Sequence, residues 1–321
     1  NENNIDTFED STAPYNKTIY TLSSIFEMQY LFQPPEMSFA LREEVLADFL
    51  NSSSAIEQIL KNNGYQLVKY GIKAFCSEED LCLNTEFENV NTKNTVLFDL
   101  LMETPFKVLI EKEWIDRKNL TILGCSDNCL DSSIDASIEE IVNLINQKKS
   151  KPVFAFIHLM NSHDPYILNE NCELLESPSY KLAKDDVDQF NKNLGCSYSE
   201  MKKLINLLNL ENSVLIFQSD HGPQFDVMKN VVGRNIESLS DDQLINRFAT
   251  FSASNINSFC SKNQKYFSGI NTFRILVNCL SNEELEILEN NSYLLFGSFN
   301  TDIYKVTNEF SRAYKNVYSD K

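Results

Sequence analysis

Two continuous apolar runs stand out along the chain, and each directly follows a predicted helix. The first run covers residues 153–157, after a helical pattern over about 138–147. The second covers 214–217, within an expected strand over 213–217, after a helix over about 197–208 that begins with a capping box. Strands without polar positions that alternate with helices are typical of a parallel sheet covered on both faces. The pattern therefore predicts a doubly wound, mostly parallel α/β fold.

The middle of the chain, about residues 36–135, predicts further elements but contains no motif that indicates chemistry. Ser54 and Glu57 form a capping box that starts a helix, and Gly64 has the place of the glycine that ends it. A strand is expected over residues 65–72 and another helix over about 96–112, kinked near Pro105.

Length and composition fit one globular domain. The chain has 321 residues, of which 42% are hydrophobic and 23% charged, so disordered and fibrous proteins are excluded. No internal repeat or low-complexity linker divides the sequence. We expect a single domain over 1–321, with a core over about 11–250 and a small C-terminal α+β extension over about 251–321.

The charge balance disfavours one kind of partner, and the apolar runs are too short to cross a membrane. With 28 basic and 46 acidic residues the net charge is −18, which disfavours binding to nucleic acid. No apolar run reaches the roughly 18 residues that a membrane-spanning helix needs. Because the chain starts at Asn1 without a signal-like segment, we expect a processed or trimmed product.

The eight cysteines occur as four couples that are close in sequence. These couples are Cys76 with Cys82, Cys125 with Cys129, Cys172 with Cys196, and Cys260 with Cys279. Such couples are typical of disulfides in an oxidising compartment, so a periplasmic or extracellular location is favoured. The alternative is a zinc site, against which no C-x-x-C motif is present. The connectivity stays open.

All three histidines directly follow the two apolar runs. His158 and His163 lie in the segment H-L-M-N-S-H-D-P-Y after the first run, and His221 lies in S-D-H-G-P after the second. Open α/β sheets bind ligands beyond the carboxyl ends of their strands, so these segments form the candidate site. A buried core position is the structural alternative for His158.

Asp220 and His221 form a metal half-site. They offer a carboxylate oxygen and an imidazole from one turn, and Gly222 lets the backbone fold away behind them. The structural alternative is an Asp–His pair that caps the following loop. The second histidine segment favours the functional interpretation.

These segments, together with an early N-K-T-I-Y-T-L-S-S-I-F, resemble the alkaline phosphatase superfamily. The resemblance is to its sulfatase-like branch, which includes phosphoethanolamine transferases, lipoteichoic acid synthases and bacterial sulfatase-like hydrolases. Similar segments also occur at Asn246-Arg247-Phe248 and over 270–275. The resemblance covers about 11–30 and 151–278, and it implies a metal-dependent enzyme with an alkaline-phosphatase-like α/β fold.

The resemblance implies that Thr18 is the nucleophile, with Thr21 and Ser23 as alternatives and an N-cap as the structural interpretation of Thr18. A threonine hydroxyl has a high pKa and needs a metal to react as an alkoxide. Asp220 and His221 match further ligands of that metal, zinc in the first place, with manganese, magnesium and calcium as alternatives.

For the other two histidines, the resemblance implies contacts with the substrate. His163 matches the catalytic histidine that contacts the transferring group, and His158 matches a position that holds the substrate or a second metal. The family also needs an acidic metal ligand upstream of the nucleophile. Only 17 residues precede Thr18 and they contain no apolar strand. We therefore expect the first strand, its carboxylate and the membrane segments common in this branch to be missing here, and metal affinity to be weak.

The residues near Thr18 favour phosphoryl chemistry over sulfate ester hydrolysis, because the C/S-x-P-S-R signature of formylglycine sulfatases is absent there. The expected function is a metal-dependent phosphoryl or phosphoethanolamine-type transferase, or a phosphodiesterase. Its substrate would be a phospholipid or glycan head group of the cell envelope. The alternatives are a sulfatase, and a non-catalytic relative that binds an envelope ligand.

Overall fold

The computed structural model divides the chain into two compact units. The first unit is Asn1–Gly64 with Leu208–Lys321, and the second is Tyr65–Leu207. The structure describes residues 5–34, 44–46, 48–49, 52–70, 81–83, 138–139, 141–143, 146, 151–159, 162–163, 166, 168–173, 187–223, 236, 239–261, 264, 268–281, 283–295 and 303–318.

The described residues contain short strands and longer helices. The strands are β1 (Asp6–Thr7), β2 (Gln66–Tyr70), β3 (Leu81–Leu83), β4 (Val153–Ile157), β5 (Ile216–Gln218), β6 (Ser252–Ser254), β7 (Tyr293–Leu295) and β8 (Ile303–Lys305). The helices are α1 (Thr18–Phe26), α2 (Ala55–Asn62), α3 (Val187–Leu207), α4 (Asp241–Phe248), α5 (Thr272–Leu280) and α6 (Thr307–Tyr318). Together they form the α/β fold that the sequence predicts.

The first unit contains an antiparallel sheet in the order β1-β6-β5 and an antiparallel pair, β7 and β8. Isolated bridges from Thr12 to Ala249 and from Tyr15 to Tyr293 tie down the backbone ahead of α1. The residues from 251 onward belong to this unit, together with α1 and β5. The long-range bridges therefore fix the place where α1 begins.

Buried side chains surround the start of α1. Tyr15 is fully buried, and its hydroxyl donates to the carbonyl of Phe32 at 2.8 Å. Burial raises the pKa of Tyr15, so the hydroxyl remains a neutral donor. The cluster around it consists of Tyr15, Tyr20, Phe32, Leu46, Tyr293, Leu295 and Ile303. This packing holds the chain before α1 against β7 and β8.

The second unit contains a parallel sheet in the order β3-β2-β4. Here the apolar run at 153–157 forms a strand beside a parallel neighbour, as the sequence predicts. Tyr70 pairs with Ile157, so β2 and β4 end together. The wider doubly wound sheet and the single domain stay predictions.

Several local predictions agree with the structure. Ser54 is the N-cap of α2, Glu57 accepts its backbone N–H at 2.9 Å, and Gly64 follows the helix with φ 81°. Two of the expected cysteine couples form disulfides, namely Cys172–Cys196 and Cys260–Cys279. The predicted helix over 96–112 and the cysteines at 76, 125 and 129 lie outside the described residues.

The predicted start of α3 is wrong. The helix begins at Val187 and passes through Ser197, which is buried and donates its hydroxyl to the carbonyl of Asn193 at 3.3 Å. The Ser197 hydroxyl thus forms its hydrogen bond with the preceding turn of the same helix and does not cap a new helix. Similarly, β5 begins at Ile216 and not at residue 213. Among the described helices, none is long and apolar enough to cross a membrane.

Candidate active site

Thr18 is the first residue of α1, and its hydroxyl faces an imidazole from a distant part of the chain. Thr18 Oγ1 lies 3.1 Å from Nε2 of His221. Lys17, the N-cap, is extended at φ −142° and ψ 134°, and it contributes no capping side chain. The start of α1 therefore leaves the Thr18 hydroxyl close to a nitrogen ligand.

The two alternative nucleophiles are fully buried. Thr21 donates its hydroxyl to the carbonyl of Tyr15 at 3.0 Å, and Ser23 donates to the carbonyl of Tyr20 at 3.2 Å. Neither hydroxyl has the partial exposure of Thr18. The geometry thus singles out Thr18 among the three hydroxyls.

His221 and Asp220 lie in the turn that directly follows β5. Nδ1 of His221 is 3.0 Å from the carbonyl oxygen of Gly222, which can only accept a hydrogen bond. Nδ1 therefore carries a proton, and in the neutral imidazole the Nε2 lone pair is directed towards Thr18. Asp220 accepts the backbone N–H of His221 through Oδ1 at 2.8 Å and places Oδ2 3.4 Å from Nε2.

These donor atoms fit a divalent metal. Ligands about 2.0–2.1 Å from a tetrahedral zinc ion lie about 3.3–3.4 Å from one another. The distances from Nε2 to Thr18 Oγ1 and to Asp220 Oδ2, 3.1 and 3.4 Å, are close to that value. Among the described residues no group of three or more His, Cys, Asp or Glu side chains could hold a metal. The third ligand of such a metal, beside Asp220 and His221, would thus be the hydroxyl of Thr18.

A family model for the sulfatases matches residues 12–272, which is most of the chain. The chain belongs to the sulfatase family. This membership confirms the resemblance to the sulfatase-like branch. No curated protein matches the sequence.

Solved structures of several bacterial proteins are distantly similar to this sulfatase-family chain. The C-terminal periplasmic domain of EptC from Escherichia coli is 12% identical, with a TM-score of 0.47 over 94% of this chain and 82% of that one. The soluble domain of lipooligosaccharide phosphoethanolamine transferase A from Neisseria meningitidis is 14% identical, with a TM-score of 0.46 over 87% of this chain and 77% of that one. The C-terminal periplasmic domain of phosphoethanolamine transferase EptC from Campylobacter jejuni is 15% identical, with a TM-score of 0.47 over 86% of this chain and 78% of that one.

The sulfatase-family chain also fixes its site through Gly222, which the sequence indicated as a turn residue, and through Arg247, to which the sequence assigned no role. A Cβ atom on Gly222 would lie 1.9 Å from the carbonyl oxygen of Asn246, so only glycine fits there. The Gly222 N–H donates to the carbonyl of Arg247 at 3.0 Å. The guanidinium of Arg247 donates in turn to the carbonyls of Gly222 and Asn16. The signal in the sequence was the segment Asn246-Arg247-Phe248, which was part of the resemblance but gave Arg247 no role.

Asn16 has a structural role two positions ahead of Thr18. Its side chain donates to the carbonyl of Leu295 at 3.1 Å and accepts the backbone N–H of Leu295 at 2.8 Å. Asn16 is 3% exposed, so the sequon N-K-T is closed to glycosylation in the folded chain. This pair of bonds anchors the segment that leads into Thr18.

The other two histidines belong to the second unit. His158 follows β4, is half-buried, and donates its backbone N–H to the carbonyl of Tyr70 at 2.9 Å. Its ring stacks on Phe156 with the centroids 6.4 Å apart. His163 lies in a turn and is exposed. Their substrate-binding roles stay predictions.

Proposed function

We propose that this sulfatase-family chain is a metal-dependent transferase or phosphodiesterase that acts through a covalent intermediate on Thr18. The observation that carries the proposal is the 3.1 Å distance between Thr18 Oγ1 and His221 Nε2, with Asp220 Oδ2 beside the same nitrogen. A hydroxyl, an imidazole and a carboxylate that meet in this way suit both metal binding and nucleophilic attack.

Thr18, Asp220 and His221 would hold the metal, which would lower the pKa of the Thr18 hydroxyl and neutralise phosphate oxygens. The Gly222 carbonyl keeps the proton on Nδ1 of His221, so Nε2 remains available as a ligand. The Asp220 carboxylate is 20% exposed and the His221 ring 16%, which leaves the turn partly open to a substrate.

The proposed reaction has two balanced steps. Thr18 Oγ1 loses its proton and attacks phosphorus, an Oγ1–P bond forms, and the P–O bond to the leaving alcohol breaks as that oxygen gains a proton. A hydroxyl of an acceptor, or water, then attacks the phosphothreonine: a new O–P bond forms, the Oγ1–P bond breaks, and the proton of the attacking hydroxyl restores the Thr18 hydroxyl. The N-terminus of α1 would favour the negative charge of the phosphoryl group, because its first N–H groups have no partner within the helix.

The nucleophile favours phosphoryl transfer over sulfate ester hydrolysis. Formylglycine sulfatases need a Cys or Ser within C/S-x-P-S-R, whereas Thr18 stands in N-K-T-I-Y. We further propose zinc as the metal and a phospholipid or glycan head group as the substrate. His163 would contact the transferring group and His158 the substrate, as the resemblance implies.

The two disulfides support a periplasmic or extracellular location, because such bonds persist in oxidising compartments. A non-catalytic relative is the second candidate, since the described residues supply only Asp220 and His221 as conventional ligands at the turn after β5.

The proposal is tested by turnover of a nitrophenyl phosphodiester and a nitrophenyl sulfate with zinc present and after chelation. We expect zinc-dependent release of nitrophenol from the phosphodiester that is lost in Thr18→Ala. Turnover of the sulfate alone would identify a sulfatase. Binding of neither zinc nor substrate analogues would favour the non-catalytic candidate.

A further inference from the structure

A buried arginine joins the two backbone segments that carry the proposed site. Arg247 lies in the last turn of α4 and is 6% exposed. Its Nη1 donates to the carbonyl of Gly222 at 2.6 Å, and its Nη2 donates to the carbonyl of Asn16. Gly222 directly follows His221, and Asn16 precedes Thr18 by two residues. One planar group thus spans both halves of the site.

The contacts at Gly222 also fix the imidazole. The Gly222 carbonyl accepts from Nη1 of Arg247 and lies 3.0 Å from Nδ1 of His221. The backbone N–H of Gly222 donates to the carbonyl of Arg247. Gly222 is therefore bonded to Arg247 at both its N–H and its carbonyl, and the carbonyl that orients the imidazole cannot shift independently of the arginine.

We infer that Arg247 is a positioning residue that sets the separation of Thr18 Oγ1 and His221 Nε2, and so the affinity of the site for its metal. The inference rests on the proposed function. A guanidinium suits this task because its N–H groups lie in one rigid plane and can reach two carbonyls at once. A lysine ammonium at the same place can keep one of the two contacts but does not reproduce the planar fork.

A second arginine of the same unit provides a matched control. Arg274 donates through Nε to the carbonyl of Met28 and through Nη1 to the carbonyl of Glu286, both at 2.7 Å. It therefore bridges two backbone segments as Arg247 does, but neither segment carries Thr18, Asp220 or His221. Loss of either bridge should lower stability. Only loss of the Arg247 bridge should also disturb the site formed by Thr18, Asp220 and His221.

The test compares Arg247→Lys and Arg274→Lys in the full chain. Zinc affinity of the metal-free protein is measured by competition with a chromophoric chelator, and unfolding is followed by circular dichroism. Supporting groups around metal ligands typically change metal affinity by about 10–100-fold. We expect such a loss for R247K alone, with a similar fall of Tm for both variants. The absorption spectrum of bound cobalt should change in R247K and stay unchanged in R274K.

The results distinguish failure of the Arg247 inference from failure of the proposed function. Equal zinc affinity of R247K and R274K would overturn the inference and leave the proposed function intact. Absence of zinc binding in the wild-type chain would overturn both. If R247K does not fold, Arg247→Gln is tested in the same way. Failure of both variants to fold, while R274K folds, would make Arg247 a folding residue and would also overturn the inference.

Discussion

Thr18 Oγ1 and His221 Nε2 lie 3.1 Å apart although 203 positions separate the two residues in the sequence. The first residue of α1 supplies the hydroxyl, and the turn after β5 supplies the imidazole. Asn16, two residues before Thr18, and Gly222, directly after His221, both accept hydrogen bonds from Arg247 through their carbonyls. The proximity is thus supported by one buried arginine side chain that holds the backbone on both sides.

Substitution of Thr18 should remove turnover and leave the fold in place. Thr18→Ala deletes the hydroxyl, and we expect a loss of at least about 10³-fold in kcat, as for other covalent nucleophiles. Thr18→Ser should retain measurable activity because it keeps a hydroxyl at the same place. Kinetics with a nitrophenyl phosphodiester measure both effects.

The matched control for Thr18 is Thr21→Val. Thr21 is fully buried and donates to the Tyr15 carbonyl, so its loss should destabilise the chain by about 1–3 kcal/mol. The kcat of the folded fraction should stay at the wild-type value. If Thr21→Val were inactive while Thr18→Ala remained active, the assignment of Thr18 as the nucleophile would be wrong.

Gly222→Ala should disrupt the site, because the added methyl group would lie 1.9 Å from the carbonyl oxygen of Asn246. We expect a destabilisation of about 1–3 kcal/mol together with weaker zinc binding. Gly64→Ala is the control: its φ of 81° costs about 1–2 kcal/mol, but nothing lies within 4 Å of the new methyl group. Zinc titration and thermal unfolding separate the two effects, and unchanged zinc affinity of Gly222→Ala would contradict the account.

Glu27 should make stability depend on pH. Burial raises the pKa of Glu27 above 4.5, and Glu57 adds to the rise, although a hydrogen bond from the Ala55 backbone opposes it. The folded state therefore holds the proton more tightly than the unfolded state, and this contribution to stability is lost as pH rises through the folded-state pKa.

The corresponding variant is Glu27→Gln, which is neutral at every pH. We expect a higher Tm than wild type at about pH 7 and an equal Tm at about pH 4, where the carboxyl of the folded wild-type chain is protonated. The exposed Glu283 offers the control, Glu283→Gln. A Tm difference for Glu27→Gln that does not change with pH would show that burial of charge is not its cause.

The disulfide Cys260–Cys279 should contribute to stability through the loop that it closes. The two cysteines are 19 positions apart, and closure of a loop of this length stabilises a fold by about 3 kcal/mol. The double variant Cys260→Ser/Cys279→Ser should unfold at a correspondingly lower denaturant concentration. Peptide mapping without reduction should recover Cys260 linked to Cys279, and recovery of other pairings would refute the assignment.

Local features of the sequence predicted local structure well. The capping box of Ser54 and Glu57, the glycine at 64 and the apolar strand at 153–157 each depend on neighbouring residues only. The same kind of signal failed at Ser197, which lies inside a helix that already begins at Val187 and donates its hydroxyl to the carbonyl of Asn193 in the preceding turn.

The site was predictable only in part, for a physical reason. Its ligands carry recognisable chemistry, so Asp220 and His221 could be found after an apolar run, and Thr18 through the resemblance. The contacts of Asn16 with Leu295 and of Arg247 with Asn16 join residues more than 200 positions apart. No local pattern records such pairings, and hence the positioning roles of Asn16 and Arg247 were not predicted.

The measurement that tests the central claim most directly is the mass of the peptide that begins at Thr18 after cleavage at Lys17. The zinc-loaded chain is mixed with a phosphodiester donor, quenched in acid during turnover and digested. We predict a phosphoester on Thr18 that is absent without the donor and after chelation of zinc. Turnover with an unmodified Thr18, or with the label on another residue, would contradict the account.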